Sequence, residues 1–204
     1  RDQPRSRGLG DVYKRQMFEI CHSLKNQFGP ENWCRYRGMH LLCFVDNHDV
    51  SRIASQLTNE RHLPLIYGML FGMPGIPCVY YGSEWGTKAN KSEGDPALRV
   101  SFEKPEWNDL TELISKMAEA HKNSKALCSG SIKIPVLTKK QCIIEREFEG
   151  ERVLVAINAD DQPFTAHFDA GCGQAEELLT GTIHDFGGGS ELKPYSVEFW
   201  KMER

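Results

Sequence analysis

Two short apolar runs with a helical pattern between them constrain the fold more than any other feature of this 204-residue chain. The first run, MHLLCFV at residues 39–45, has the continuous apolarity of a strand buried on both faces of a parallel sheet. The second run, CVYY at residues 78–81, follows the turn-forming letters PGIP. Residues 60–73 between them are typical of a helix, with Pro64 tolerable only in its first turn. This strand–helix–strand order predicts parallel α/β structure.

The rest of the chain changes character along its length. Residues 17–28, and a segment that starts at Asp109, carry apolar side chains at helical spacing. Residues 83–107 are polar and predict a long loop. From about residue 128, short strand-like segments alternate with turn residues, which predicts an antiparallel sandwich or open barrel.

Three regions follow from this pattern. Residues 1–16 hold five Lys or Arg and two Asp without apolar periodicity, so we interpret them as a non-native or disordered leader. Residues 17–127 form the α/β region, and residues 128–204 form a C-terminal antiparallel β-sandwich domain. We also interpret the chain as beginning in the middle of a domain.

Composition narrows the classes of partner. The net charge is −3, which gives no reason to expect nucleic acid, and no apolar run is long enough to predict a membrane span. The seven cysteines are odd in number and lack a C-x-x-C pair, which argues against a zinc knuckle or a complete disulfide framework. Reduced thiols favour a cytoplasmic location.

A polar cluster, FVDNHDVSR at residues 44–52, follows the first apolar run directly. In α/β folds, sites are built at the carboxyl ends of the strands, so this cluster is a candidate site. Spacing alone leaves two alternatives open. Asp49 could cap a turn or pair with Arg52. His48 and Asp49 could also be half of a metal site, although no second cluster at a ligand spacing accompanies them.

FVDNHDVSR, followed by GMPGIPCVYYGSEWG, resembles the closing third of the α-amylase superfamily of glycoside hydrolases. That family carries F-x-x-(N/S)-H-D after its seventh barrel strand and PG-(I/T)-P-x-(I/V)-YYG-x-E around its eighth. DPALR at residues 95–99 is similar to the D-P-x-x-R of cyclomaltodextrinases and neopullulanases, with Ala97-Leu98 where Asp-Cys is more usual. The resemblance implies the C-terminal part of a (β/α)8 TIM barrel followed by an antiparallel all-β domain.

The resemblance also implies roles for four residues. Asp49 would be the aspartate that stabilises the transition state during retaining hydrolysis of α-glucans or maltooligosaccharides. His48, Asp95 and Arg99 would bind the substrate. No cofactor or metal site is identifiable in this segment, and calcium stays open for a full-length parent.

The nucleophile and the acid/base of such an enzyme belong on earlier strands, and a barrel needs about 250 residues. We therefore interpret the chain as a fragment and predict that it is inactive alone. The alternative is a non-catalytic carbohydrate-binding or structural β-domain with a barrel remnant. Two barrel strands would also leave open edges, which predicts poor solubility or a homo-oligomer.

Four aromatic residues near the second run have two interpretations each, and one acidic residue there has a single interpretation. Tyr80 and Tyr81 should point to opposite faces of a strand, so at most one could stack on sugar, and core packing is favoured. Glu84 is interpreted as structural. Trp85 and Trp107 flank the polar loop, and each could form a sugar platform or be buried at the rim.

Overall fold

The structure, a computed structural model, describes residues 17–203, so the predicted leader at residues 1–16 lies outside the described part. Its first region alternates helices with two short strands. The elements are α1 (Met17–Phe28), β1 (Leu42–Phe44), α2 (Ile53–Gln56), α3 (Leu63–Gly72), β2 (Ile76–Cys78), α4 (Asp95–Leu98), α5 (Asp109–Lys122) and α6 (Lys125–Ser129).

The second region is entirely antiparallel β structure, as the turn spacing predicted. One sheet has the order β3-β4-β5-β10-β7-β8, and β6 pairs with β9. The two strands β8 and β9 were not among the predicted ones. The elements are β3 (Ser131–Leu137), β4 (Gln141–Phe148), β5 (Glu151–Asn158), β6 (Phe164–Ala166), β7 (Gln174–Glu177), β8 (Thr182–Asp185), β9 (Ser190–Leu192) and β10 (Ser196–Glu203).

The parallel pairing of the two apolar runs is confirmed, but their predicted bounds and burial were wrong. β1 and β2 pair over three residues each, with Leu42 opposite Ile76. Leu42 is 59% exposed and Ile76 is 51% exposed, because no further strand pairs with either one within residues 17–203. β2 also ends at Cys78, since the Tyr80 carbonyl accepts from the Ser83 amide and turns the chain out of the sheet.

The helices follow their local signals closely. α1 has the predicted bounds. α3 is shorter than predicted, because residues 60–62 form a 3-10 turn in which the Asn59 side chain accepts from the Arg61 amide. Pro64 lies in the first turn of α3, where its missing N–H costs no hydrogen bond. α5 begins after Asn108, whose side chain accepts from the Thr111 amide in a capping box.

The predicted loop at residues 83–107 is more ordered than its composition indicated. It contains two 3-10 turns, at Ser83–Trp85 and Lys91–Glu93, as well as α4. Gly82 and Gly86 on either side of the first turn both adopt left-handed backbone conformations, with φ of 84° and 82°. These turns hold the loop close to the ends of β1 and β2.

The two regions share one apolar core. Buried side chains of α1, α3 and α5 pack in the same cluster as those of β4, β5 and β10. Helix α3 approaches the sheet so closely that a Cβ on Gly68 would lie 2.5 Å from Val197 Cγ2, and a Cβ on Gly72 would lie 2.9 Å from Val155 Cγ1. Glycine at these two positions therefore permits the contact between helix and sheet.

A buried arginine joins the regions at the same interface. Arg146 of β4 is 1% exposed and donates to three backbone carbonyls, those of Gly72, Gly130 and Ser131, over 2.8–3.1 Å. The Gly72 and Gly130 carbonyls lie at the carboxyl ends of α3 and α6, where the helix dipole favours a cation. Burial still lowers the pKa of the Arg146 guanidinium to about 10.

Candidate functional site

The loops after β1 and β2 leave the same edge of the parallel pair, since parallel strands end on the same side. The first loop carries the polar cluster of residues 46–52. The second carries the turn at Ser83–Trp85 and leads to α4, where the D-P-A-L-R segment lies. The topology therefore brings both sequence motifs to one edge.

Beneath this edge lies a buried polar network built on Asp46. Asp46 is 1% exposed, and its carboxylate accepts from the Ile53 amide at 2.8 Å and from the Ser83 hydroxyl at 2.9 Å. Burial raises the pKa of the Asp46 carboxyl, and the hydrogen bonds from Ile53 and Ser83 oppose that rise. The network fixes the start of α2 to the loop after β2.

Arg52 connects this network to the segment that carries Arg99. Its guanidinium is fully buried and donates to the Tyr81 carbonyl at 2.6 Å, to the Ser83 hydroxyl at 2.9 Å and to the Leu98 carbonyl at 3.0 Å. Arg52 therefore faces inward, and the alternative that it pairs with Asp49 is wrong. Sequence reasoning missed this role, because the partners of Arg52 lie 29 to 46 residues further along the chain.

The four predicted site residues come together above the network, and we call them the acid–base cluster. Asp49 Oδ2 lies 3.4 Å from His48 Nε2, and Asp49 Oδ1 lies 3.9 Å from Arg99 Nη2. Arg99 Nη1 lies 2.8 Å from Asp95 Oδ2. All four side chains are between 42% and 65% exposed, so a ligand can reach them.

Two further residues organise the cluster. Lys91, which the sequence analysis did not single out, donates to Asp95 Oδ1 at 2.9 Å. Hydrogen bonds from Lys91 and Arg99 lower the pKa of the Asp95 carboxyl. Asn47, rather than Asp49, makes the local turn, since its side-chain oxygen accepts from the Asp49 amide at 2.8 Å. The i,i+4 spacing of Lys91 and Asp95 on adjoining helical turns is the signal that could have identified Lys91.

The two tyrosines after β2 correct one expectation. Tyr80 and Tyr81 lie in a turn rather than a strand, and their ring centroids are 4.7 Å apart instead of lying on opposite faces. The Tyr80 hydroxyl donates to the Leu98 carbonyl and the Tyr81 hydroxyl to the Val100 carbonyl, at 3.3 and 3.0 Å. Tyr80 is half-buried, whereas Tyr81 is 43% exposed.

Glu84, Trp85 and Trp107 lie beyond the tyrosines. Glu84 Oε2 is buried and has no hydrogen-bond partner within the described part of the chain. Trp85 is half-buried and packs edge-on against Phe102. Trp107 is 69% exposed. The interpretation that the side chain is buried at the rim therefore fits Trp85 better than Trp107.

Residues 17–203 contain neither a cluster of metal ligands nor a membrane-spanning helix. No group of three or more His, Cys, Asp or Glu side chains there is arranged to hold a metal ion. All seven cysteines are free thiols. None of the helices in that range is long and apolar enough to cross a bilayer.

Comparison with known proteins gives a consistent assignment. The family described as "Alpha amylase, catalytic domain" matches residues 13–132, more than half of the chain. A cyclomaltodextrin glucanotransferase from Niallia circulans is 29% identical over 149 residues, which cover 72% of this chain and 20% of that protein. An alpha-amylase from the same organism is 30% identical over 116 residues, covering 56% of this chain and 21% of that protein. The chain thus spans about a fifth of these curated relatives.

Solved structures agree with the sequence matches. An alpha-amylase from Anoxybacillus superposes with a TM-score of 0.81 at 20% identity, over 99% of this chain and 46% of that one. The cyclomaltodextrin glucanotransferase CldA superposes with a TM-score of 0.81 at 25% identity, over 98% of this chain and 43% of that one. The predicted fold class, the C-terminal part of a (β/α)8 barrel followed by an antiparallel β domain, is confirmed. The chain belongs to the alpha-amylase catalytic domain family.

Proposed function

We propose that this chain supplies the closing part of an enzyme that hydrolyses α-glucosidic bonds in α-glucans or maltooligosaccharides with retention. The single observation that carries the proposal is the exposed acid–base cluster of His48, Asp49, Asp95 and Arg99 at the carboxyl edge of the parallel strands. The relatives named alpha-amylase and cyclomaltodextrin glucanotransferase support this substrate class.

Asp49 would act on the sugar ring itself. The transition state of glycoside hydrolysis resembles an oxocarbenium ion, and hydrogen bonds to ring hydroxyls that strengthen as the ring flattens lower the barrier. A carboxylate held between His48 and Arg99 can accept from those hydroxyls without first having to reorient. Its negative charge also helps to keep a neighbouring acid protonated.

His48 and Arg99 would hold the same sugar and the next one. A neutral imidazole donates from one ring nitrogen, and Arg99 offers the remaining donors of its guanidinium beyond those that face Asp49 and Asp95. Asp95 stays ionised at neutral pH, because hydrogen bonds from Lys91 and Arg99 lower the pKa of its carboxyl. Asp95 can therefore accept from a sugar hydroxyl while it orients Arg99.

Retention requires two further carboxyl groups, a nucleophile and an acid/base, about 5 Å apart. Asp49 and Asp95 both lie close to the Arg99 guanidinium. Carboxylates paired in this way are better suited to binding the substrate than to transferring a proton. We place the nucleophile and the acid/base in polypeptide outside this chain. The chain alone would then bind sugar without cleaving it.

Sugar binding by the 204-residue chain tests the proposal. Arg99→Ala should weaken the affinity for maltoheptaose at least about tenfold in isothermal titration calorimetry, a loss of about 1.4 kcal/mol. Arg35→Ala, which removes an exposed arginine next to Tyr36, is the matched control and should leave the affinity unchanged. Equal affinity for the Arg99→Ala variant and the unmodified chain would favour the alternative, in which the β-domain binds carbohydrate or is purely structural.

A further inference from the structure

Two fully buried cysteines lie where helix α1 packs against strand β4. Cys21 and Cys142 are each 0% exposed, and both belong to the core cluster that the two regions share. Cys21 lies on the buried face of α1, one helical turn after Met17. The Met17 amide donates to the Lys139 carbonyl at 2.9 Å, just before β4 begins. The helix therefore starts beside the start of the strand that carries Cys142.

The alternation of β4 directs Cys142 towards the helices. Successive strand residues point to opposite faces of a sheet. Ile143 belongs to a separate core cluster, whereas Cys142 and Ile144 belong to the cluster that contains α1. A hydrogen bond with Cys21, together with burial, raises the pKa of the Cys142 thiol well above its ordinary value. The two thiols are thus in contact, and Cys142 is protonated in the closed structure.

This pair differs from the other cysteines. Four other thiols donate to backbone carbonyls over 3.1–3.4 Å: Cys34 to Lys25, Cys43 to Leu41, Cys128 to His121 and Cys172 to Gln174. Among the residues that the structure describes, Cys21 and Cys142 are the one pair of thiols in contact. Disulfide formation within the described fold therefore has one candidate site.

Opening of α1 gives an oxidant access to both thiols. The helix buries one face against the core, through Met17, Ile20, Cys21 and Leu24. Strand β4 is paired on both sides, with β3 and β5, so it stays in place when the helix moves away. Local opening of a single element requires less free energy than global unfolding. The thiolates needed for thiol–disulfide exchange form in this open state.

We propose that Cys21 and Cys142 form a redox site, which a small disulfide such as oxidised glutathione converts into a disulfide bond between α1 and β4. The Cys21 thiolate attacks the small disulfide, whose S–S bond breaks and releases one thiolate. The Cys142 thiolate then attacks the Cys21 sulfur of the mixed disulfide and releases the second. The two cysteines lose two electrons, which reduce the small disulfide, and their two protons end on the two released thiols.

The bond would stabilise the contact between the two regions. It joins a helix of the α/β region to the antiparallel sheet and closes a long loop, and cross-links that close long loops restrict the unfolded chain most. Neither cysteine belongs to the acid–base cluster. The redox site therefore stands or falls independently of the proposed function.

The test exposes the folded 204-residue chain to oxidised glutathione and maps its disulfides by mass spectrometry of peptides. We expect a peptide pair that links Cys21 to Cys142, and a thermal midpoint that rises by at least about 5 °C and returns after reduction with dithiothreitol. Cys142→Ala should abolish the linked peptides and the rise. Cys34→Ala is the matched control, because Cys34 is also buried but donates to a backbone carbonyl, and this variant should keep both.

Hydrogen–deuterium exchange sets the time of the experiment. Oxidation continues until the amides of α1 have exchanged, so that the helix has opened in every molecule. If Cys21 and Cys142 are still reduced at that time, or if either is linked to a different cysteine, the redox site is refuted. A linked pair whose thermal midpoint is unchanged or lower would refute the stabilising role. Circular dichroism spectra of the reduced variants confirm that folded proteins are compared.

Discussion

Two regions of the molecule contain similarly apolar strands but bury them differently. In β5, residues 153–157 are fully buried, because β5 lies between β4 and β10 and one of its faces packs against α3. In the parallel pair, Leu42 and Ile76 are more than half exposed. The apolar pattern is the same, so the difference comes from the neighbours. An apolar run predicts a strand, but its burial depends on which other strands the chain supplies.

The two regions are nevertheless not independent. The shared core and the hydrogen bonds of Arg146 to Gly72 and Gly130 connect them. The proposed division at residues 127 and 128 therefore describes a change in architecture, and it stays a prediction as a boundary between domains. The following predictions test how far the antiparallel β region and the parallel pair differ in burial and stability.

The largest expected effect lies in the antiparallel β region. Trp200 of β10 is fully buried and stacks on the His184 ring at 4.0 Å. Trp200→Ala should lower the free energy of unfolding by about 3–5 kcal/mol, because it removes a large buried side chain and leaves a cavity. Urea denaturation measures the loss.

Leu42→Ala in the parallel pair is the matched comparison. Leu42 is already largely exposed, so this change should stay within about 0.5 kcal/mol. Similar losses for Trp200→Ala and Leu42→Ala would show that the parallel pair is as well covered as the β region.

The second effect concerns the joint between the regions. Arg146→Met keeps an unbranched side chain but removes all three hydrogen bonds to the carbonyls of Gly72, Gly130 and Ser131. Unfolding should become easier by about 1–3 kcal/mol, since buried carbonyls lose their donors. Arg35→Met at an exposed site is the control, measured by the same denaturation. A more stable Arg146→Met variant would mean that desolvation of the guanidinium destabilises the fold by more than its hydrogen bonds stabilise it.

The third effect is a pH dependence at the edge of the parallel pair. Burial raises the pKa of Asp46 above its ordinary value of 3.8, so the folded state binds more protons than the unfolded state between those two pKa values. Stability from this group must then fall as the pH rises through that interval. Asp46→Asn should remove this component.

The contribution of Asp46 is measured as a difference between the unfolding free energies of two proteins. Unfolding free energies of the unmodified chain and of Asp46→Asn are compared from acidic to neutral pH, so that contributions from the other carboxyls cancel. The unfolding free energy of the Asp46→Asn variant minus that of the unmodified chain should increase as the pH rises. A difference that stays constant would show that the pKa of Asp46 is the same in the folded and unfolded states.

The smallest effect on the free energy of unfolding should come from charging the open edge. Leu42→Lys alone places one cation on an exposed strand position and leaves Ile76 opposite it neutral, which discourages association between strand edges. The unmodified chain should self-associate in size-exclusion chromatography, and the Leu42→Lys variant should elute as a smaller species. A sharp monomer peak with cooperative melting for the unmodified chain would contradict the predicted oligomer.

Local signals predicted much of this fold. The bounds of α1 followed from its apolar stripe and from Gly29-Pro30, and the longer strands β3, β4, β5 and β10 followed from short apolar segments between turns. β8 was missed because it is largely exposed and lacks an apolar face. The early end of β2 was missed because it depends on the turn from Tyr80 to Ser83, which the apolar letters CVYY do not reveal.

Part of the candidate site could likewise be predicted from the sequence, and part could not. The proximity of His48, Asp49, Asp95 and Arg99 was expected from the motifs, and the structure brings these residues together. Arg52 could not be placed from sequence, because a charged residue next to Asp49 is expected at the surface, whereas its partners arrive from distant loops. Tertiary contacts decide such positions.

We propose that Asp49 belongs to a sugar-binding edge and that the nucleophile and the acid/base are not among the residues of this chain. The most direct measurement is maltoheptaose hydrolysis by the purified 204-residue chain and by its Asp49→Ala variant. We expect no turnover from either protein above the level without protein. Turnover by the unmodified chain that disappears in Asp49→Ala would contradict the claim.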